Sequence, residues 1–389
     1  MRLTPENTLP SDADRAILVG RLWWPAVDGP AVVRLDGETL VDITAAFPTV
    51  RDLCEADDPA AAARLAAGKP ICDLAGLLQN SAAATPDVAK PSLLAPIDLQ
   101  AIKAAGVTFV VSMLERVIEE QARGDPQKAN AVRGEILATI GSDLRALKPG
   151  SSAAAALKQL LIGKGLWSQY LEVGIGPDAE IFTKSQPMSA VGHGSAIGIH
   201  PGSHWNNPEP EIVLAVASDG RIVGAMLGND VNLRDFEGRS ALLLGKAKDN
   251  NASCAVGPFL RLFDADFTLD EVRQAEVGLR VSGGNGFSLS AKSSISQISR
   301  DPQEIVDQMI GAMHQYPDGA VLFLGTMFAP VEDRRSPGQG FTHELGDIVT
   351  IETPTLGKLT NWVTTCDKAP PWTYGVGRLM RNLAKRGVL

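Results

Sequence analysis

Apolar runs broken by turn-forming residues dominate this chain, and the clearest pair lies at its centre. Pro210-Glu211-Ile212-Val213-Leu214-Ala215-Val216 is followed by Ser218-Asp219-Gly220-Arg221 and then by Val223-Gly224-Ala225-Met226-Leu227-Gly228-Asn229-Asp230. Two such runs around a short polar turn predict a β-hairpin. With Glu211 opening the first strand, the two-residue alternation puts Glu209 and Glu211 on one face. Asp230 closes the second run, so three carboxylates can converge at one end of the hairpin. An all-oxygen set of this kind suits Mg²⁺ better than zinc. The same Glu-x-Glu spacing also fits a solvated strand face, and the pattern by itself leaves both readings open.

Strand-like runs at residues 16–24, 30–35 and 39–43, with a turn at Asp36-Gly37, and a helical stretch at residues 60–67 predict a small N-terminal domain over residues 1–95. The Pro-rich stretch from Pro86 to Pro96 reads as a linker into a second domain, residues 96–389. Gly106 to Val111 reads as a strand, and Ser112 with Glu115 as the capping box of the helix that follows. Residues 115–172 are rich in Ala, Glu, Leu and Lys and predict helices, among them 127–140 and 153–161, parted by Pro149-Gly150. This helical insertion is placed either as a lid over the hairpin or as a peripheral excursion. A helix over residues 304–314 and a buried strand from Val321 to Leu324 complete the outline.

Composition narrows the function classes. The 389 residues are 44% hydrophobic, enough for a substantial core and two domains. A net charge of −9 without a basic cluster argues against a nucleic-acid partner. No uncharged apolar run is long enough to span a bilayer, and the N-terminus lacks the apolar core of a signal peptide. Cys54, Cys72, Cys254 and Cys366 are scattered without metal-ligand spacing, which predicts a reduced, cytoplasmic protein. His200 and His204 are four apart, but Pro201 and Gly202 between them exclude a shared helix face. The Gly192-His193-Gly194 run reads as a turn and not a phosphate cradle, since no long helix follows it. Cys254 reads as a small buried residue.

Several separated blocks resemble the fumarylacetoacetate hydrolase superfamily. They are Glu209-Pro210-Glu211, then Gly228-Asn229-Asp230-Val231-Asn232-Leu233-Arg234-Asp235, then Lys248 ahead of Gly257-Pro258. The resemblance runs from about Gly106 to Val363. It implies an α+β, mainly β fold, a mixed β-sandwich roll, assembled as a homodimer or a dimer of dimers. It implies Glu209, Glu211 and Asp230 as ligands of Mg²⁺, with Mn²⁺ accepting the same donors. Lys248 falls at the position of the active-site lysine, whose pKa is expected to fall beside a metal. Thr326 and Lys184 fall where the family contacts substrate. Ser112 stands where hydrolytic members place a histidine, and Glu115 where they place its glutamate partner, a departure that disfavours C–C bond hydrolysis. Glu180 heads a strand where the sugar-acid dehydratase members carry an acting glutamate. The implied activity is Mg-dependent dehydration of a small-molecule 2-keto-3-deoxy pentonate to 2,5-dioxopentanoate in non-phosphorylative pentose catabolism. Glu180 and Lys248 would work at C3, with Glu115 or a neighbouring lid glutamate at the C4 hydroxyl and Ser112, Lys184 and Thr326 on the substrate. An acylpyruvate hydrolase or oxaloacetate decarboxylase is the alternative within the superfamily, and a catalytically silent binding protein the alternative outside it.

Overall fold

The hairpin expected around residues 210–230 forms and lies in the interior of the larger sheet. The structure is a computed structural model and describes residues 1–129, 147–163, 165, 167–284, 286–328, 330–337 and 339–389. Its strands are β1 (Leu18–Trp24), β2 (Gly29–Asp36), β3 (Thr39–Asp42), β4 (Lys69–Asp73), β5 (Ser92–Leu94), β6 (Ala101–Gly106), β7 (Glu180–Ser185), β8 (Ala196–Ile199) and β9 (Asn206–Asn207). They continue with β10 (Pro210–Val216), β11 (Ile222–Asp230), β12 (Asn232–Leu233), β13 (Cys254–Leu262), β14 (Glu276–Ser282), β15 (Ser288–Ser294), β16 (Ala320–Phe323), β17 (Ile348–Thr353) and β18 (Gly357–Thr365). Among the described residues the larger sheet runs β4-β3-β2-β1-β13-β11-β10-β16-β6-β7, with β5 also paired to β1. A second sheet runs β15-β14-β17-β18-β8. Most neighbours are antiparallel, but β16 with β6 and β18 with β8 are parallel, giving the mixed α+β architecture expected from the sequence.

Burial explains why the hairpin strands read as continuous apolar runs. Ile212, Leu214 and Val216 enter one core cluster, whereas Val213 and Ala215 enter another on the opposite face. A strand covered on both faces has no polar side to show. Each of the Val, Ile and Leu side chains contributes about 1.5–3 kcal/mol of burial free energy. The turn closes at Gly220, whose φ of +90° suits glycine. Pairing sets Glu211 opposite Gly228 and Pro210 opposite Asn229. Glu209, Glu211 and Asp230 therefore share the face of Val213, Ala215 and Met226.

The N-terminal strands continue this sheet, because β1 pairs with β13 through Leu18↔Arg261 and Val19↔Leu260. The helix Pro59–Leu65 starts where Asp58 accepts the Ala61 amide and Pro59 occupies the first turn.

Local expectations fail at the end of β6. The strand stops at Gly106, short of Val111, because Val107 turns the chain with φ +59°. Thr108 then donates from Oγ1 to the Leu324 carbonyl at 2.6 Å, fixing the turn to the end of β16. The helix runs Val110–Ala122 with Phe109 as its cap residue, so Ser112 lies inside the first turn and does not form the expected capping box. Of the helix expected at 127–140, residues 130–140 lie outside the described residues. Its companion is found at Ser152–Gly163. The helix at Pro302–Met309 ends earlier than expected, where Ile310 adopts an extended conformation. No described helix is long and apolar enough to cross a membrane.

Candidate active site

The three hairpin carboxylates meet. Glu209, Glu211 and Asp230 each offer an oxygen within 4.8 Å of the others, and all are 2% exposed or less. Like charges held this close out of water are unfavourable unless cations intervene. Two lysines do so. Lys248 Nζ lies 2.5 Å from Glu209 Oε2 and 3.0 Å from Asp230 Oδ2. Lys184 Nζ lies 2.9 Å from Asp230 Oδ1 and also donates to the Lys248 carbonyl and, at 3.3 Å, to Ser253 Oγ. Among the described residues no lysine ion-pairs with Glu211; its Oε2 accepts the Gly325 amide at 2.7 Å.

Protonation follows from this wiring. Burial favours the neutral form of Asp230, but Lys184 and Lys248 outweigh it and hold the carboxyl below its usual range. Burial, reinforced by Asp230 and Glu209, pushes Glu211 well above that range. Burial alone would lower Lys248, yet Asp230, Glu209 and Glu237 hold it well above its ordinary value. The neighbouring carboxylates thus outweigh burial at Lys248.

The donor set fits a hard divalent cation. It is made of carboxylate oxygens alone, buried and convergent, and at Glu211 burial and repulsion outweigh Lys248 and the Gly325 amide, an excess that a cation would balance.

The other expected residues take distinct places. Glu180 heads β7 opposite Gly106, and its carboxyl is raised by burial while Arg116 and Lys248 pull it down. A Cβ on Gly106 would lie 2.0 Å from Glu180 Oε2, so the glycine makes room for this carboxyl. Thr326 follows the Gly325 amide that binds Glu211; its own hydroxyl donates to the Phe328 carbonyl at 2.7 Å. Glu115 accepts from Arg234 Nη2 at 3.0 Å. Ser112 spends its hydroxyl on the Phe109 carbonyl at 2.9 Å. Cys254 is buried and its thiol is pushed up to about 12, in keeping with a packing role. His200 and His204 sit in a turn, as their spacing around Pro201 required.

Four charged residues with no individual role assigned from the sequence complete the site. Arg116 reaches Glu209 Oε1 at 2.5 Å, Glu119 Oε2 at 2.7 Å and Glu237 Oε2 at 2.9 Å. Arg234 bonds Glu119 Oε1 at 2.6 Å and stacks 4.6 Å over the Trp205 ring. Arg116 and Arg234 outweigh burial at Glu119 and keep it low. At Glu237 burial outweighs Arg116 and Lys248 and raises the carboxyl to about 7. The spacing of Arg116 and Glu119 on one helix face and the place of Arg234 in the family block were the available signals; nothing in the sequence marks Glu237.

The profile of the fumarylacetoacetate (FAA) hydrolase C-terminal family matches residues 170–364, half of the chain. The chain is 29% identical over 202 residues to the 2-dehydro-3-deoxy-D-arabinonate dehydratase of Saccharolobus solfataricus, covering 51% of this chain and 62% of that protein. It is 30% identical over 196 residues to a Haloferax volcanii protein named "Probable 2-keto-3-deoxyxylonate dehydratase", covering 50% and 64%. The matches thus span less than two thirds of these relatives. The solved structure of 2-keto-3-deoxy-D-arabinonate dehydratase complexed with magnesium and 2,5-dioxopentanoate shares the fold, with a TM-score of 0.58 at 20% identity over 90% of this chain and 99% of that one. Carrying that family's profile across the strands that hold the carboxylates, this chain belongs to the fumarylacetoacetate hydrolase family.

Proposed function

We propose that this chain is a Mg²⁺-dependent hydro-lyase that dehydrates a 2-keto-3-deoxy pentonate to 2,5-dioxopentanoate. The observation that carries the reading is the buried triad Glu209, Glu211 and Asp230 with Lys248 laid across it and Glu180 close by. The names of its relatives and the ligands of its structural neighbour support the same reading. Glu209, Glu211 and Asp230 would hold the ion, Mn²⁺ being acceptable to the same oxygens. A bound divalent cation supplies Lewis acidity toward the C2 carbonyl of a 2-oxo acid.

The chain's own residues account for the proton traffic. Glu180, with its raised affinity for protons, is suited to take one from C3 near neutral pH. Lys248 keeps its proton and can donate a hydrogen bond to the C2 oxygen as negative charge builds there. Glu115, held by Arg234, assists loss of the C4 hydroxyl as water. A proton then moves from C5 to C3, and the resulting enol relaxes to the aldehyde, so that one water is lost overall. Thr326, Lys184 and Ser112 are assigned to the substrate side of the pocket.

Turnover of 2-keto-3-deoxy-D-xylonate tests the reading, with an NAD-dependent aldehyde dehydrogenase reporting the dioxo product. Product that forms with Mg²⁺ and disappears after EDTA supports it. Consumption of an acylpyruvate or oxaloacetate in its place would keep the site and replace the reaction.

A further inference from the structure

Apart from the carboxylate hairpin, a cavity of about 440 Å³ lies between β1 and the C-terminal segment. Arg21, Trp23, Met188, Trp372, Tyr374 and Arg378 line it, and none of its lining residues is acidic. That is notable in a chain of net charge −9.

Arg21 is 4% exposed, yet its guanidinium is not fully satisfied. Nη1 donates to the carbonyls of Ala95, at 3.3 Å, and Ile97. Nε lies 3.6 Å from Asp98 Oδ2, but that carboxylate already accepts the amides of Val50, Arg51 and Leu99. Nη2 meets only Met188 Sδ at 3.7 Å among the described residues, and a thioether is a weak acceptor. The buried hydroxyl of Tyr374 likewise has no partner among them. Arg21 and Tyr374 are close enough to interact electrostatically. A weakly bonded Nη2 and an unpartnered hydroxyl belong to residues that line the same cavity, and an anionic acceptor suits both.

Aromatic rings and prolines make up much of the remaining surface, with Ser189, Ser195, Asn251 and Thr373 among them. Trp23 meets Tyr374 edge to face with centroids 5.2 Å apart, and Arg378 stacks 4.8 Å over the Tyr374 ring. Trp372 is 46% exposed at the mouth, its Nε1 donating to the Tyr374 carbonyl at 3.1 Å. Pro370 and Pro371 complete this side. The volume falls within the range of small-molecule sites.

We infer that this cavity is a binding site for a small aromatic carboxylate, its ring against Trp372 and Tyr374 and its anionic group toward Arg21 and Arg378. The inference does not rest on the reading of the carboxylate hairpin.

Titration calorimetry on the full chain tests it, with indole-3-acetate as probe and indole-3-acetamide as its neutral counterpart, in EDTA so that no metal-dependent binding contributes. The expected result is saturable binding of one equivalent of the carboxylate, at least ~10-fold tighter than the amide, about 1.4 kcal/mol. Trp372→Ala and Arg378→Ala, both at exposed positions, should each weaken it by a similar factor with unchanged melting temperature. Glu211→Gln should leave it unaltered. Absence of saturable binding at millimolar probe, equal affinity for acid and amide, or loss through Glu211→Gln alone would each overturn the assignment.

Discussion

Arg116 Nη2 and Glu209 Oε1 lie 2.5 Å apart, and through this contact the helix Val110–Ala122 holds one carboxylate of the triad. The other oxygen of Glu209 belongs to Lys248. Removing one member of a buried ion pair leaves the other charge unpaired, which costs about 3–5 kcal/mol. Arg116→Met should therefore lower the unfolding free energy by about that amount in urea melts and weaken Mg²⁺ binding. Arg116→Lys should recover only part of both, since one ammonium cannot fork to three carboxylates. Unchanged melts and metal affinity would show that Glu209 is positioned by its strand alone.

Gly106 and Glu180 give a cleaner separation of activity from stability. The atoms that an added Cβ would strike at Gly106 are the far end of the Glu180 side chain, which can swing away. Gly106→Ala should keep the melting temperature within a few degrees yet displace the carboxyl, lowering kcat by about 10²-fold. Full activity in that variant would remove Glu180 from the reaction.

Glu237 predicts a pH dependence of stability. The free carboxyl titrates near 4.5 and the folded one at about 7, because burial disfavours its charge. The folded state thus binds the proton more tightly, and the stabilisation is full below pH 4.5 and lost as pH rises through 7. Between these limits the wild type should lose up to about 3 kcal/mol more than Glu237→Gln, at about 1.36 kcal/mol per unit. Equal losses in both proteins would mean that Glu237 is ionised throughout.

His193 predicts the opposite sign. Its Nδ1 accepts the Thr360 amide at 2.9 Å and its Nε2 faces Thr8 Oγ1 at 3.2 Å, so only a neutral ring fits. Burial lowers it from 6.5 to about 3. Stability is present above pH 6.5 and lost as pH falls toward 3, by up to about 5 kcal/mol. His193→Asn, whose side-chain oxygen can replace Nδ1 as acceptor, should show a shallower acid limb in thermal melts. A limb as steep as the wild type's would assign acid unfolding to other groups.

The sequence reached the triad because its geometry is local: a hairpin register places Glu209, Glu211 and Asp230 together, and the turn at Gly220 announces that register. Lys248 was reachable through the order of separated blocks. Arg234 stood in the same blocks, but its ion pairs did not show there; these and Glu237 stayed hidden, because the fold alone decides which distant charges share a buried space. At Ser112 a local rule misled. The capping-box spacing was present, but the left-handed turn at Val107 moved the start of the helix ahead of it. Such a turn is fixed by a contact from afar, Thr108 on Leu324, that no local window contains.

The order of strands has a dynamic consequence. Glu211 and Asp230 sit on β10 and β11, flanked on both sides within the sheet, whereas Glu180 and Lys184 sit on β7 at its edge among the described residues. Edge strands open locally at lower free energy than central ones, so their amides exchange with deuterium sooner. Exchange should reach Ile181 and Thr183 well before Ile212 and Leu227. The two halves of the site would then differ in stiffness, with the cation-binding carboxylates held on the rigid strands and the proton-transferring glutamate on the strand with more freedom to adjust to a bound substrate.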